Sequence, residues 1–357
     1  MNSITMDDTR IEAFAERLAN EINASLSCLN LWLGLKLGLL QELHAQGAAT
    51  PRELEERTGC VERYVREWLE CMYAGEYLDY DASTGRFSLP IEHAAVLLDE
   101  THPFYSGASM FGIPALAGIL PMLADAFQRG GGVPYEAYGD AMRECISKGN
   151  RPAFVNDYAS KWIPVLPDVQ TKLRGGARVA DIGCGEGWSS IALAQAFPNV
   201  HIDAVDIDAA SIEAAKRNAH AQGVADRVLF HLASADYQPL TGSYALVTAF
   251  ECLHDMAYPV QALKMMRELA SPNGVVFIAD EAANDSLEEN RNFLGHYFYN
   301  WSVLHCLPQA MVFPDATGTG TVMRPSIVRD YASQAGFTNV QVLPIENPSW
   351  RFYRLTP

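Results

Sequence analysis

The run Val179-Ala-Asp-Ile-Gly-Cys-Gly-Glu-Gly-Trp188 decides the fold. A short apolar strand passes straight into a glycine-rich turn, Asp181-x-Gly183-x-Gly185-x-Gly187, and a helical pattern follows at once over 188–197. The turn needs backbone angles that a side chain forbids, and a ligand must lie against bare main chain. The helix behind it opens with unpaired N–H groups. Spacing separates two kinds of nucleotide site. The dinucleotide fingerprint is Gly-x-Gly-x-x-Gly, with a pyrophosphate seated on the helix N-terminus. Here the glycines alternate, and an acid stands two residues before the first. Asp181 would repel a pyrophosphate and suits a ligand that carries positive charge.

Downstream, strands and helices alternate. Strands are expected over 178–182, 201–206, 227–232, 244–250 and 274–280, and helices over 188–197, 209–221, 258–270 and 325–335. A closing strand pair is expected over 338–345 and 350–355. Such alternation predicts a parallel sheet with helices on both faces, holding its ligand where the strands end. The second strand ends at Asp206, where a carboxylate can take both hydroxyls of a ribose. The fourth ends Phe250-Glu251-Cys252-Leu253-His254-Asp255-Met256, and the fifth Ala279-Asp280-Glu281.

Upstream, residues 11–44 carry apolar positions at helical spacing, with a stripe from Leu29 to Leu40. Thr50-Pro51-Arg-Glu53 reads as an N-cap, a first-turn proline and a capping box. Gly59 ends that helix, a second runs over 61–72, and Tyr77–Tyr80 pairs with Arg86–Leu89 through Gly85. Helix, turn, helix and a two-stranded wing make a winged-helix domain. DNA binding is the obvious use, and charge rejects it. Residues 1–120 hold 18 acids against 8 lysines and arginines. A DNA reader gains affinity from counterion release by basic side chains, and this domain has no basic footprint.

Between these halves, Pro114 and Pro121 are expected to break helices, and Gly130-Gly-Gly-Val-Pro134 to turn the chain. Tyr135, Tyr138, Tyr158 and Trp162 follow, either as packing or as a pocket wall. The expected divisions are a winged-helix and dimerisation domain over 1–100, a helical connector and pocket lid over 101–170, and an α/β domain over 171–357.

The net charge of −17 and sequence pI near 4.9 disfavour nucleic acid as a partner. No cationic segment with an apolar core opens the chain, and no uninterrupted apolar run is long enough to span a bilayer. Seven scattered cysteines without a Cys-x-x-Cys pair, and nine histidines without a His-Glu-x-x-His arrangement, argue for a reducing cytoplasm and against a zinc site; no metal is expected.

The glycine loop, Asp206 and the later strand ends together resemble motif I and the following acid of class I S-adenosylmethionine (SAM)-dependent methyltransferases. The winged helix ahead of them is similar to plant-type small-molecule O-methyltransferases and to a group of bacterial, notably mycobacterial, winged-helix methyltransferases. The resemblance implies an α/β fold: a Rossmann-like seven-stranded methyltransferase sheet preceded by an all-helical winged-helix domain. It implies SAM as cofactor, held by Asp181, Gly183, Cys184, Gly185, Gly187, Asp206, Ile207, Ala235, Asp236, Tyr237 and Phe250, with Asp236 accepting from the adenine amine. Leu253-His254-Asp255-Met256 resembles the Leu/Cys-His-Asp-Trp segment of the plant-type enzymes, with Met256 for tryptophan. That match implies His254 as base, Asp280 as the acid that orients it, and Glu251 beside them.

The insert 284–324, with Gly318-Thr-Gly320-Thr at its mouth, is the expected substrate region. The substrate wall is expected from Tyr135, Tyr138, Tyr158, Trp162, Asp255, Tyr299 and Cys306. Phe293, Tyr297 and Trp301 share a helix face, as core or dimer contacts do. The resemblance also implies a homodimer, a small-molecule substrate and no membrane partner. Two alternatives stay open. A thiol acceptor would need little help from a base, and a SAM-sensing regulator would bind DNA through the winged helix.

Overall fold

A computed structural model describes residues 6–234 and 240–356. Ala235, Asp236 and Tyr237 lie outside the described residues. The chain divides into two compact units, Met1–Pro114 with Glu144–Gly149, and Ala115–Arg143 with Asn150–Pro357.

In the first unit, helices span Asp8–Lys36, Leu39–Gln46, Pro51–Thr58 and Glu62–Ala74. The capping box forms as expected: the Glu53 N–H donates to Thr50 Oγ1 at 3.3 Å, and Thr50 N donates to Glu53 Oε2 at 2.8 Å. Gly34 has no Cβ because one would sit 2.4 Å from the Trp68 ring. That contact lets the first and fourth helices close on each other, and Trp68 Nε1 donates to Asn30 O at 2.9 Å. The wing pairs β1 (Asp79–Asp81) with β2 (Arg86–Ser88), antiparallel. The leucine stripe divides. Leu31, Leu35, Leu39 and Leu40 are buried in this unit's core. Leu29 and Leu33 are exposed, and they extend a row of exposed Ile11, Phe14, Leu18, Ile22 and Leu26 along the first helix.

A further helix spans Ser109–Arg129. The expected breaks at Pro114 and Pro121 do not occur. Pro121 is exposed, as is Ala117 four residues earlier, so the carbonyl that loses its donor can reach water. Contrary to the sequence expectation, this helix is long and apolar enough, by length and composition, to cross a membrane.

The second unit carries seven strands: β3 (Arg178–Ile182), β4 (His201–Asp206), β5 (Val228–Leu232), β6 (Tyr244–Phe250), β7 (Ala270–Glu281), β8 (Asn339–Val342) and β9 (Trp350–Thr356). Their order is β5-β4-β3-β6-β7-β9-β8. The sheet is mixed rather than parallel throughout, because β9 runs antiparallel to both β7 and β8. Alternate residues face two cores. Val179, Leu246 and Phe277 pack with the helix Trp188–Ala196 on one side. Ala180, Val247 and Val276 pack with the helices Pro259–Leu269 and Pro325–Gln334 on the other. Strand order reverses at β3, so the crevice beyond its carboxyl end is where an open α/β sheet takes a ligand.

Candidate active site

The glycine loop follows β3, and each glycine meets a different neighbour. A Cβ on Gly183 would fall 2.6 Å from Cys252 Sγ, and one on Gly187 would fall 2.8 Å from the Phe230 ring. Both are excluded by the protein itself. A Cβ on Gly185 would meet nothing within 4 Å, so this is the glycine whose face is open to a ligand. The loop is tied down from β4. Gly183 N and Cys184 N donate to Val205 O at 2.8 and 3.0 Å, and Gly185 N donates to Asp206 Oδ2 at 2.8 Å.

Asp206 accepts a second backbone bond from Asp208 N at 2.9 Å. An ionised carboxylate has about four acceptor positions, so Asp206 keeps capacity for a diol. Burial raises its pKa, and the backbone donors oppose that rise. Ile207 next to it is 56% exposed, an apolar surface beside the carboxylate. Cys184 is buried in the turn.

Asp181 is placed differently from the expectation. Its carboxylate accepts from Ser189 Oγ at 2.5 Å, Ser190 Oγ at 2.7 Å and Thr248 Oγ1 at 2.7 Å, fully buried. It ties β3 to β6 and to the helix behind the loop, and it does not present itself to a cationic ligand. Phe250 likewise packs into an aromatic core with Phe154, Tyr158, Trp162 and Phe277. Tyr158 and Trp162 are each 1% exposed there. These three side chains are core, not cofactor or substrate wall.

His254 sits on a single 3-10 turn, Leu253–Asp255, just past β6. Glu251 precedes it with φ 54°, a conformation that costs a non-glycine residue free energy and clusters at functional sites. The 317–320 loop pins the segment from the other side, with Gly320 N donating to His254 O at 3.0 Å and Thr317 N to Ala257 O at 2.9 Å. His254 is 2% exposed, and its Nδ1 lies 2.9 Å from Asp280 Oδ1 at the end of β7. A carboxylate only accepts, so Nδ1 carries a proton, and the ring also hydrogen-bonds with the Cys306 side chain. Glu281 Oε2 is 3.1 Å from the same Nδ1, without hydrogen-bonding geometry.

Burial alone would lower the His254 pKa, but Glu281 and Asp280 outweigh it and hold the ring charged well above its ordinary range. Burial would raise Asp280, and the His254 charge pulls it below the usual carboxylate value. Burial raises Glu281 to about 8 and Asp255 to about 7. It also raises Glu251, with Glu281 adding to the effect. Glu251 Oε2 reaches Asn150 Nδ2 at 3.5 Å.

Tyr135 and Tyr138 form one 3-10 turn rather than an open loop. Tyr138 donates its hydroxyl to Leu304 O at 3.0 Å. Both rings pack on His305, at centroid distances of 5.8 and 4.7 Å. Burial raises the Tyr135 pKa, as do Asp206 and Asp208 near its ring. His305 and Cys306 share a π-helical turn, Ser302–Cys306. Tyr299, from the helix Phe293–Trp301, packs instead with Ala283, Phe298 and Val322. Phe293 and Tyr297 on that helix are exposed, at 85% and 45%, so neither is core.

Sequence reading placed His305 in the expected substrate region without giving it a role. It missed the Arg143 guanidinium, which grips Asp208 through two bonds of 2.7 and 2.9 Å. Nothing in the local sequence pairs residues 65 apart. Ser189 and Ser190 were a readable signal, being two hydroxyls just behind an acid-bearing loop.

An open α/β sheet with a glycine loop at its switch point and an acid closing the next strand defines a class I methyltransferase scaffold. Residues 173–310 match the family described as Methyltransferase domain, and residues 24–98 the Rv2258c-like winged HTH domain. Residues 173–310 are thus similar to a methyltransferase domain and residues 24–98, on its N-terminal side, to a winged helix-turn-helix domain. It is 29% identical to the ubiquinone biosynthesis O-methyltransferase of Aromatoleum aromaticum, over 50% of this chain and 72% of that one. It is 33% identical to the 27-O-demethylrifamycin SV methyltransferase of Amycolatopsis mediterranei, over 42% and 57%. The chain spans 25% to 72% of the lengths of the first curated relatives it matches. The solved structure of mitomycin 7-O-methyltransferase shares the fold at a TM-score of 0.70 and 17% identity, over 98% of this chain and 99% of that one. The open face of Gly185, the unspent acceptor capacity of Asp206 and the exposed Ile207 fit the nucleoside of SAM.

Proposed function

We propose that this protein transfers a methyl group from SAM to a hydroxyl oxygen of a small molecule, with His254 as the centre at which the acceptor loses its proton. The observation that carries this reading is the buried His254–Asp280 pair at the carboxyl ends of adjacent strands, beside the glycine loop. SAM supplies an electrophilic methyl on a sulfonium, so the protein's task is alignment and proton removal. Gly185 and Asp206 hold the nucleoside side. Asp280 fixes the His254 ring through Nδ1 and leaves Nε2 toward the acceptor. Glu251, which accepts from Asn150, stands behind the pair with a carboxyl that burial holds toward its neutral form. Tyr135, Tyr138, Asp255 and Cys306 stand on the acceptor side.

Two sequence relatives, the ubiquinone biosynthesis and 27-O-demethylrifamycin SV enzymes, support oxygen as acceptor, while others are named as tRNA adenine-N6 methyltransferases. A thiol acceptor would leave the His254–Asp280 pair without a task. DNA reading is disfavoured again at the second helix of the winged domain. Its Arg63 is paired with Glu67 and its Arg66 with Glu62. The exposed row on the first helix supports a homodimer, and seven free cysteines support a reducing cytoplasm.

The test is release of S-adenosylhomocysteine from purified protein and SAM across one panel of phenols, hydroxy acids and thiols. Turnover on hydroxyl compounds is the expected result. Turnover confined to thiols would overturn the oxygen assignment.

A further inference from the structure

Three donors of different chemistry meet around His254, whose ring hydrogen-bonds with the Cys306 side chain. A ring nitrogen of His254, a carboxylate oxygen of Asp255 and Cys306 Sγ all lie within 4.8 Å of one another. They come from two elements far apart in sequence, the turn after β6 and the π-helical turn Ser302–Cys306. We propose that they hold one borderline divalent transition ion of the zinc class. The ligands are His254 Nε2, the Asp255 carboxylate and the Cys306 thiolate, and the ion keeps open positions for a chelating acceptor, a hydroxyl with a second oxygen beside it. This rests on the hydroxyl-transfer reading above and names the acceptor class.

Four observations carry the assignment. An imidazole, a thiolate and a carboxylate form a mixed N/S/O set that suits zinc-like ions and not magnesium or calcium. The trio supplies three protein ligands, the number that a catalytic ion takes, where a structural one takes four. His254 is already oriented as a ligating histidine is, its other nitrogen bonded to the Asp280 carboxylate at 2.9 Å. A further buried donor stands next to the thiol with capacity unspent. His305 is 2% exposed, its Nδ1 is 3.5 Å from Cys306 Sγ, and its Nε2 has no hydrogen-bond partner.

Ligand atoms at ~2.0–2.3 Å from one tetrahedral ion lie roughly 3.5 Å apart, so movements of about an ångström close the cage. A second trio, His254 with Asp280 and Glu281, also converges. Its histidine nitrogen is already bonded to Asp280, so these carboxylates form the outer layer. In the loaded site His254 is a ligand, and the ion takes over acidifying the hydroxyl. The hydroxyl gives its proton to solvent, its oxygen–carbon bond forms as the sulfur–carbon bond breaks, and S-adenosylhomocysteine leaves.

The experiment uses the full chain, stripped with a chelator, dialysed and titrated with Co²⁺. About one equivalent should bind, with a thiolate-to-cobalt charge-transfer band in the near ultraviolet. Cys306→Ser should abolish that band, and Asp280→Asn should weaken binding ~10–100-fold. SAM binding by each variant serves as the check on folding. Absence of saturable cobalt binding, or the same band in folded Cys306→Ser, would overturn the proposal. Turnover that survives chelation without bound metal removes the ion and leaves hydroxyl transfer standing. Bound cobalt with turnover only on thiols does the reverse.

Discussion

Asp181 and Asp206 are both buried acids at strand ends, and they divide the work of the cofactor loop. Asp181 spends its carboxylate on three hydroxyls inside the protein. Its removal strands buried polar groups, so Asp181→Ala should cost about 2–4 kcal/mol in urea unfolding. SAM affinity in the folded fraction should stay near normal, and a variant of full stability without SAM binding would return Asp181 to the ligand. Asp206→Ala should weaken SAM binding by ~10–100-fold, the loss of charged hydrogen bonds to a diol, as read by calorimetry. For His254, the carboxylates at Nδ1 keep the ring charged above its ordinary pKa of ~6.5. The neutral ring that can take a proton or a metal is therefore populated only at higher pH. Turnover should rise with pH along a limb centred above ~6.5. His254→Ala should lower kcat ~10²–10⁴-fold with little change in SAM affinity. A limb at or below the free-imidazole value would separate His254 from the proton transfer.

At the scale of elements, the glycine loop makes a sharper test than any side chain. Gly185 has φ 52° and open space around it, whereas Gly183 is closed off by Cys252. Gly185→Ala should cost only about 1–2 kcal/mol of stability for its left-handed backbone, yet lose most SAM affinity. Gly183→Ala should damage stability first. Equal behaviour of the two variants in paired melting and binding measurements would contradict the open-face assignment. The central strands were legible because strands buried on both faces read as apolar runs between turn signals. β3, β4 and β6 start and stop where those runs do. Phe250 was misassigned for want of parity. Leu246, Thr248 and Phe250 share one face of β6, and that face meets the aromatic core. The break expected at Pro121 failed because a helix with solvent on that side can leave a carbonyl to water. The His254–Asp255–Cys306 meeting was illegible, since no spacing rule joins a strand end to a turn fifty residues on.

Across the whole molecule, the first helix shows apolar residues at intervals of three and four, from Ile11 to Leu33, all exposed. A second copy of the chain is the proposed cover. Leu18→Asp with Leu26→Asp should shift sedimentation from dimer to monomer without unfolding the winged domain, whose core uses Leu31, Leu35 and Leu40 instead. A wild-type chain that sediments as a monomer would dispose of the dimer.

The strand order carries one more consequence. β9 lies between β7 and β8, although it is the last of the three to be made. A ribosome delivers β8 before there is anything for it to pair with, and β7 waits with one edge bare. The sheet closes only when Trp350–Thr356 has cleared the exit tunnel and slid into the gap. Until then the nascent chain exposes a sticky strand edge, and a chain cut before Trp350 would keep that edge open for the life of the protein.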